Sequence, residues 1–118
     1  MSHGEKAIAS FFISHLIEYR HWETFDGLLG VNGGNLSYDF YVPKYNLLIE
    51  YQGGQHYFPV EYFGGKKKFE RQKEHDKRKK EYALSHGYNY LEIKYNEDVE
   101  TILINYLNLE PLTTAGAA

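Results

Sequence analysis

SYDFYVPKYNLLIEYQGGQHYF, from Ser37 to Phe58, is the stretch on which the fold of this chain turns. Apolar and aromatic residues alternate on both sides of Pro43-Lys44-Tyr45-Asn46, the pattern of two strands joined by a turn. Leu36–Val42 and Leu47–Gln52 are the expected strands. Yet Asp39, Glu50 and Gln52 stand inside them, where a core should form. Strand side chains alternate between faces, so Tyr38, Phe40 and Val42 are expected on one face and Ser37, Asp39 and Tyr41 on the other. In the second strand Leu48, Glu50 and Gln52 oppose Leu47, Ile49 and Tyr51. A turn centred on Lys44-Tyr45 pairs Val42 with Leu47 and Phe40 with Ile49, and the same register sets Asp39 opposite Glu50.

Directly opposed residues have Cβ atoms roughly 4.5–5.5 Å apart. Two carboxylates that close repel, and a divalent cation between them reverses the sign. Asp and Glu oxygens on rigid strands, with positions left for water and phosphate, describe a Mg²⁺ site, with Mn²⁺ as its substitute. Gln52, two residues along on the face of Glu50, is placed to orient a water or meet a phosphate. The competing reading is an acid turned to solvent at a sheet edge, which the apolar flanks disfavour.

Charge is the second oddity. The chain of 118 residues has a formal net charge of -3, with 13 Lys and Arg against 16 Asp and Glu. Residues 66–80, KKKFERQKEHDKRKK, hold nine of those bases and only three of the acids. Lys66, Lys67, Lys68, Arg71 and Lys73, followed by Lys77, Arg78, Lys79 and Lys80, therefore form a basic block suited to a polyanion such as DNA. A helix balanced by its own salt bridges would not need three bases per acid.

The remaining chain supplies the frame. Residues 4–20 read as an amphipathic helix with an Ile8, Phe12, Leu16 and Tyr19 stripe. Trp22–Leu28 is a candidate strand, Gly30–Gly34 a turn, and Lys66–Ser85 a long polar helix stopped by Gly87. Tyr88–Lys94 alternates as a strand, and Asp98–Leu107 closes as a helix. The order α-β-β-β-α-β-α predicts an α/β or α+β fold, a central mixed sheet flanked by helices. Residues 1–110 form one domain of ordinary size, and 111–118, small and polar, a tail or linker stub. The absence of cysteine excludes disulfides, thiolate metal sites and a Cys nucleophile. No apolar run reaches the length of a membrane span, and none has a secretory pattern.

Acids recur on the helical stripes. Glu5 lies on the Ile8–Phe12–Leu16 face, either as a favourable first-turn acid or as a third carboxylate for the metal. Phe69, Gln72, Asp76, Lys80 and Ala83 share a stripe on the long helix, so Asp76 is expected to point inward. His75 beside it can act as general base, general acid or phosphate contact, or be an ordinary surface histidine. His56, just past the acidic strand, has the same alternatives and is also a DNA-contact candidate. These residues favour a metal-dependent phosphodiesterase acting on DNA. A non-catalytic nucleic-acid-binding module accounts for the basic helix but not for the facing acids. A protein-interaction domain with an acidic body and a basic arm predicts DNA binding no stronger than that of charge-scrambled controls, and zinc-hydrolase spacings such as HExxH do not occur.

An N-terminal helix Glu, a strand Asp, IEYQGGQHY, and then HDKRKKEYALSHGYNYLEIKYNE together resemble the PD-(D/E)xK nuclease superfamily. The narrower likeness is to its very-short-patch-repair branch and the phage EDxHD homing endonucleases. Asp76, Arg78, Leu84, Gly87, Tyr88, Leu91 and Ile93 match the helix-to-strand run of that group, and the resemblance covers residues 4–107. It implies a restriction-endonuclease-like fold and Mg²⁺-dependent endonuclease cleavage of double-stranded DNA, in the setting of a homing or mismatch-repair-like enzyme. It implies a cytoplasmic location in a phage-infected or bacterial cell. The acidic letters fall on Glu5 and Asp39, the His-Asp pair on His75 and Asp76, and the (D/E)xK on Glu50-Tyr51-Gln52, with metal ligands Asp39 and Glu50. Here the sequence departs from the pattern, because Gln52 stands where the superfamily has Lys. The partner implied is double-stranded DNA and not a membrane, with a homodimer and a separate DNA-reading module of a longer parent chain as further expectations. A Holliday-junction resolvase-like nuclease is the alternative within the superfamily, and the helical His-Asp pair argues against it.

Overall fold

The structure is a computed structural model, and it describes residues 1–54 and 65–112. His56, and most of the aromatic connection around it, lie outside the described residues. The observed order is α1 (His3–Ser14), β1 (Arg20–Leu29), β2 (Asn35–Val42), a 3-10 turn at Pro43–Tyr45, β3 (Leu47–Gln52), α2 (Gly65–Ser85), β4 (Asn89–Lys94) and α3 (Val99–Leu107). The four strands form one mixed sheet in the order β1-β2-β3-β4. β1 with β2, and β2 with β3, run antiparallel, while β3 with β4 is parallel. The fold class is α+β, as the alternation of elements predicts.

The hairpin register is the expected one. Phe40 faces Ile49, Tyr41 faces Leu48 and Val42 faces Leu47. Two cores follow from the alternation in β3. Leu47 and Ile49 join Phe40, Val42 and Ile93 beneath α1 and α3, where Ile8, Phe12 and Leu103 are also fully buried. Leu48 looks the other way, with Leu28, Tyr38 and Ala83 of α2. The helices thus form two layers, one on each face of the sheet.

Three expectations need correction. First, α1 ends at Ser14 rather than running on to residue 20. Leu16 adopts a left-handed backbone (φ 57°), the amide of Ile17 bonds back to the Phe12 carbonyl, and that of Leu16 to Ile13. This is a Schellman-type stop, and it leaves Leu16 93% exposed instead of on the apolar stripe. Second, Tyr38 does not share a face with Phe40 and Val42. It packs toward α2 while they pack toward α1 and α3. β1 changes face at the same level: His21 meets Phe40, whereas Phe25 meets Tyr38. Between them Trp22 is left-handed (φ 52°), a conformation that rotates the strand and defeats simple alternation. Third, Lys80 is exposed, and the inward stripe of α2 passes through Lys79 instead.

α2 has Ala83 as its one fully buried residue and is held largely by hydrogen bonds. Its His75, Arg78 and Tyr82, at i, i+3 and i+7, reach backbone groups of β1 and the following loop. The Val31 amide donates to His75 Nε2 at 3.1 Å, Arg78 donates to the Leu29 carbonyl at 3.0 Å, and the Tyr82 hydroxyl donates to the Asp26 carbonyl at 2.8 Å. Gly30 permits this approach, since a Cβ there would sit 2.9 Å from His75 Nε2. Gly87, as expected, takes a positive φ of 80° and ends the helix, with the Tyr88 amide returning to the Ala83 carbonyl.

Leu16→Gly removes a left-handed non-glycine strain at an exposed position and is expected to stabilise the protein by about 0.5–1 kcal/mol. A urea midpoint equal to or below that of the parent would show that Leu16 makes a compensating contact.

Candidate functional site

The site forms where β2 and β3 part. Beyond the Phe40–Ile49 rung, side chains take over the bonding of the two strands. The Asp39 amide donates to Glu50 Oε2 at 2.8 Å, and the Tyr51 amide donates to Asp39 Oδ2 at 2.7 Å. Each carboxylate thus accepts from the backbone of the opposite strand. Asp39 is gripped on its other side as well, because His21 Nδ1 lies 3.2 Å from the Asp39 carbonyl oxygen. A carbonyl only accepts, so Nδ1 carries the proton. A single aspartate therefore has its amide, its carbonyl and its carboxylate all fixed by neighbouring strands, which is the rigidity a reacting group needs.

Above the acids lies a cavity of about 500 Å³, lined by residues that include Glu5, Asp39, Glu50, Gln72, His75, Asp76 and Lys79. It collects carboxylates from α1, β2, β3 and α2, so Glu5, Asp39, Glu50, His75 and Asp76 are brought together as the sequence pattern anticipates. Glu5 also completes a capping box with Ser2, accepting from the Ser2 amide and hydroxyl while its own amide donates to Ser2 Oγ. Both readings of Glu5 are thus compatible with its position. Gln52 is buried at the end of β3, 8% exposed, beside Lys94 in the parallel register. A second cavity of similar size lies between α1 and the start of α3, but its acids Glu97, Asp98 and Glu100 are exposed, and Asp98 is the helix cap.

Lys79 is the unexpected member. Its ammonium lies 2.5 Å from Glu50 Oε1, with the two side chains 16% and 7% exposed. Its carbonyl accepts from the Tyr38 hydroxyl at 2.7 Å, which fixes that turn of α2 over the sheet. From the sequence alone Lys79 is one base among nine, and a stripe drawn through residue 80 instead of 79 turns it away by about 100°. The other nominated bases divide by role. Lys66, Lys67, Lys68, Arg71, Lys73, Lys77 and Lys80 are exposed on α2, while Arg78 is tied to Glu74 at 2.7 Å and to β1.

Electrostatics reflect the burial. The Glu50 carboxyl is pushed well above the ordinary carboxylate range, by burial first and then by the Asp39 charge, against the lowering pull of Lys79. Burial also raises the Asp39 carboxyl, against the bonds from Tyr51 and Glu50. His75 moves the other way, lowered by burial and by Arg78, Lys79 and Arg71. Its Nε2 accepts the Val31 amide, so the ring is neutral with its proton on Nδ1. The Tyr38 and Tyr90 hydroxyls are driven up by burial and then by Glu50. The Tyr90 hydroxyl is the buried side-chain polar atom left without a hydrogen-bond partner among the described residues.

A hard dication fits this donor set. Buried Glu50 and half-buried Asp39, on adjoining strands, would supply oxygen ligands, and the cavity leaves room for water or phosphate to complete the shell. Among the described residues no three Asp, Glu, His or Cys side chains are already drawn together as a finished ligand group. The arrangement is an acid pair with incomplete compensation, not a closed structural metal cage.

The stability of the metal-free protein is expected to depend on this pair. Folded-state carboxyl values raised above the ordinary 3.8 and 4.5 give a contribution that is full below those values and lost as pH rises through the folded ones. Asp39→Asn keeps an oxygen for the Tyr51 amide and removes a charge. In EDTA its melting temperature should exceed that of the parent at pH 8, with the gap closing toward pH 4; a gap independent of pH would mean that the pair is not strained by its charge.

No protein-family model, curated protein or solved structure was found to match this chain.

Proposed function

We propose that the protein is a divalent-metal-dependent endonuclease that hydrolyses phosphodiester bonds in double-stranded DNA. The observation that carries this reading is the convergence of half-buried Asp39 and buried Glu50, with Glu5 and Asp76 lining the same cavity, beneath a helix whose outer face is basic. A binding module has no use for buried acids beside a polyanion, since they repel it. A hydrolase does, because Mg²⁺ bound between acid and phosphate turns the repulsion into attraction.

Asp39 and Glu50 would hold the ion, which when bound supplies Lewis acidity at the scissile phosphate. The chain's own residues set the rest. His21, Tyr51 and the Asp39 amide hold the acids in place. Exposed lysines of α2 neutralise backbone phosphates on either side of the cavity. His75 is committed through Nε2 to the Val31 amide, so its part is to fix the β1–β2 loop against α2 and to leave Nδ1–H as a donor. The finer affiliation to homing or mismatch-repair-like nucleases belongs to the same proposal and rests on the sequence resemblance.

Supercoiled plasmid incubated with Mg²⁺ should be nicked or linearised, remain intact in EDTA, and remain intact with Asp39→Asn or Glu50→Gln under conditions where DNA binding persists. Undiminished turnover in either variant would remove the metal assignment. Alanine at Lys66, Lys67 and Lys68 should weaken binding to every DNA sequence and flatten its salt dependence; weakening confined to one sequence would indicate base readout instead. His75→Ala should lower the melting temperature and slow cleavage only a few-fold, whereas a loss of about 10²–10⁴-fold would restore a proton-transfer role.

A further inference from the structure

We propose that Lys79 is the resident counter-cation of the acid pair: it sits on Glu50 until a divalent ion displaces it, and so sets how tightly the site takes metal. This rests on the metal half of the function proposed above.

The geometry is specific. Glu50 Oε2 is taken by the Asp39 amide, which leaves Oε1 as its outward oxygen, and Lys79 Nζ occupies that oxygen at 2.5 Å. Both side chains are largely buried, so neither charge is relieved by bulk water. A carboxylate so placed needs a positive partner, and removing the partner costs far more than breaking a surface pair. Lys79 supplies that partner from α2, and the Tyr38 hydroxyl on its carbonyl holds the helix at the right height.

A dication that takes Glu50 cannot share Oε1 with an ammonium at contact distance, because like charges that close repel strongly in a partly desolvated site. The lysine head must leave. Its four-carbon stem is flexible and its charge is a point with three donors, and the same cavity offers Asp76, one turn back on α2, and the opening toward solvent. Displacement therefore costs metal affinity without leaving a buried orphan charge. It also sets an ammonium free at the mouth of the site, where a phosphate arrives. The chain thereby possesses a cation beside its acid pair even though Gln52, not a lysine, follows on β3.

The test is calorimetric titration of the whole protein with Mn²⁺ alone, comparing the parent with Lys79→Met and Asp39→Asn. Losing the competitor should tighten Mn²⁺ binding in Lys79→Met by about tenfold, while Asp39→Asn should weaken it. In parallel, limited acylation of the unmutated protein read by mass spectrometry should show Lys79 modified several-fold faster with Mn²⁺ than without. Equal or weaker Mn²⁺ binding by Lys79→Met overturns the inference. Should that variant not fold, an Mn²⁺-independent acylation rate of Lys79 does so instead. Parent protein that binds no Mn²⁺ overturns both this inference and the metal assignment. Binding that follows the expected order, with plasmid left uncut, supports the role of Lys79 and rejects the nuclease reading.

Discussion

Desolvation of Asp39 and Glu50 is the constraint around which this molecule is arranged. Buried carboxylates are costly unless hydrogen-bonded and compensated, and the fold supplies both remedies. Two strands end their pairing at the acids, and the freed backbone amides turn to the carboxylates. A helix that contributes little apolar surface is laid over them so that one of its lysines reaches Glu50. The remaining cost appears as carboxyl groups that hold their protons beyond the ordinary range. A fold selected only for stability would place leucine at these positions, as it does at Leu48 on the same face of β3.

The two helical layers divide the work. α1 and α3 cover a conventional apolar core, with Ile8, Phe12 and Leu103 fully excluded from water. α2 is fastened differently, by His75, Arg78 and Tyr82 to backbone groups of β1 and its loop. Such bonds are individually modest but directional, so they fix the azimuth of the helix and hence which residues face the acids. One side of α2 clamps, an adjacent side carries Gln72, Asp76 and Lys79 into the cavity, and the outer side is left to exposed bases. A helix that reads as polar almost all round is thereby given three distinct faces.

Much of this was legible in the sequence, and the exceptions have identifiable causes. The hairpin register could be read because the Phe40–Ile49 and Val42–Leu47 pairs and the acid pair demand the same alignment, and the element order followed from periodicity and from Gly87. Hidden from that reasoning were the backbone reversals at Leu16 and Trp22. Both are left-handed residues of a type that rarely adopts that conformation, so neither carried a glycine or asparagine to mark it. At the level of Trp22 simple alternation fails, so Tyr38 lies on the face opposite to the one its spacing from Phe40 predicts, and the support it gives to Lys79 does not show in the pattern. The role of His21 is hidden for a related reason: its partner is a carbonyl, and backbone acceptors leave no trace in a side-chain pattern. Lys79 was concealed by its neighbours, since a run of bases offers no contrast from which to choose the inward one.

The reversal at Trp22 also bears on how the molecule behaves among copies of itself. β1 is the outer strand on its side of the sheet, and an uncovered strand with evenly spaced amides and carbonyls is a template for intermolecular pairing. A residue turned to positive φ near the start of the strand breaks that spacing, so an incoming extended segment would lose alignment there. The same twist that re-aims the side chains around Asp39 thus blunts an aggregation-prone margin, and a protein rich in tyrosine and phenylalanine gains protection from fibrous self-assembly without a charge or a proline at that position.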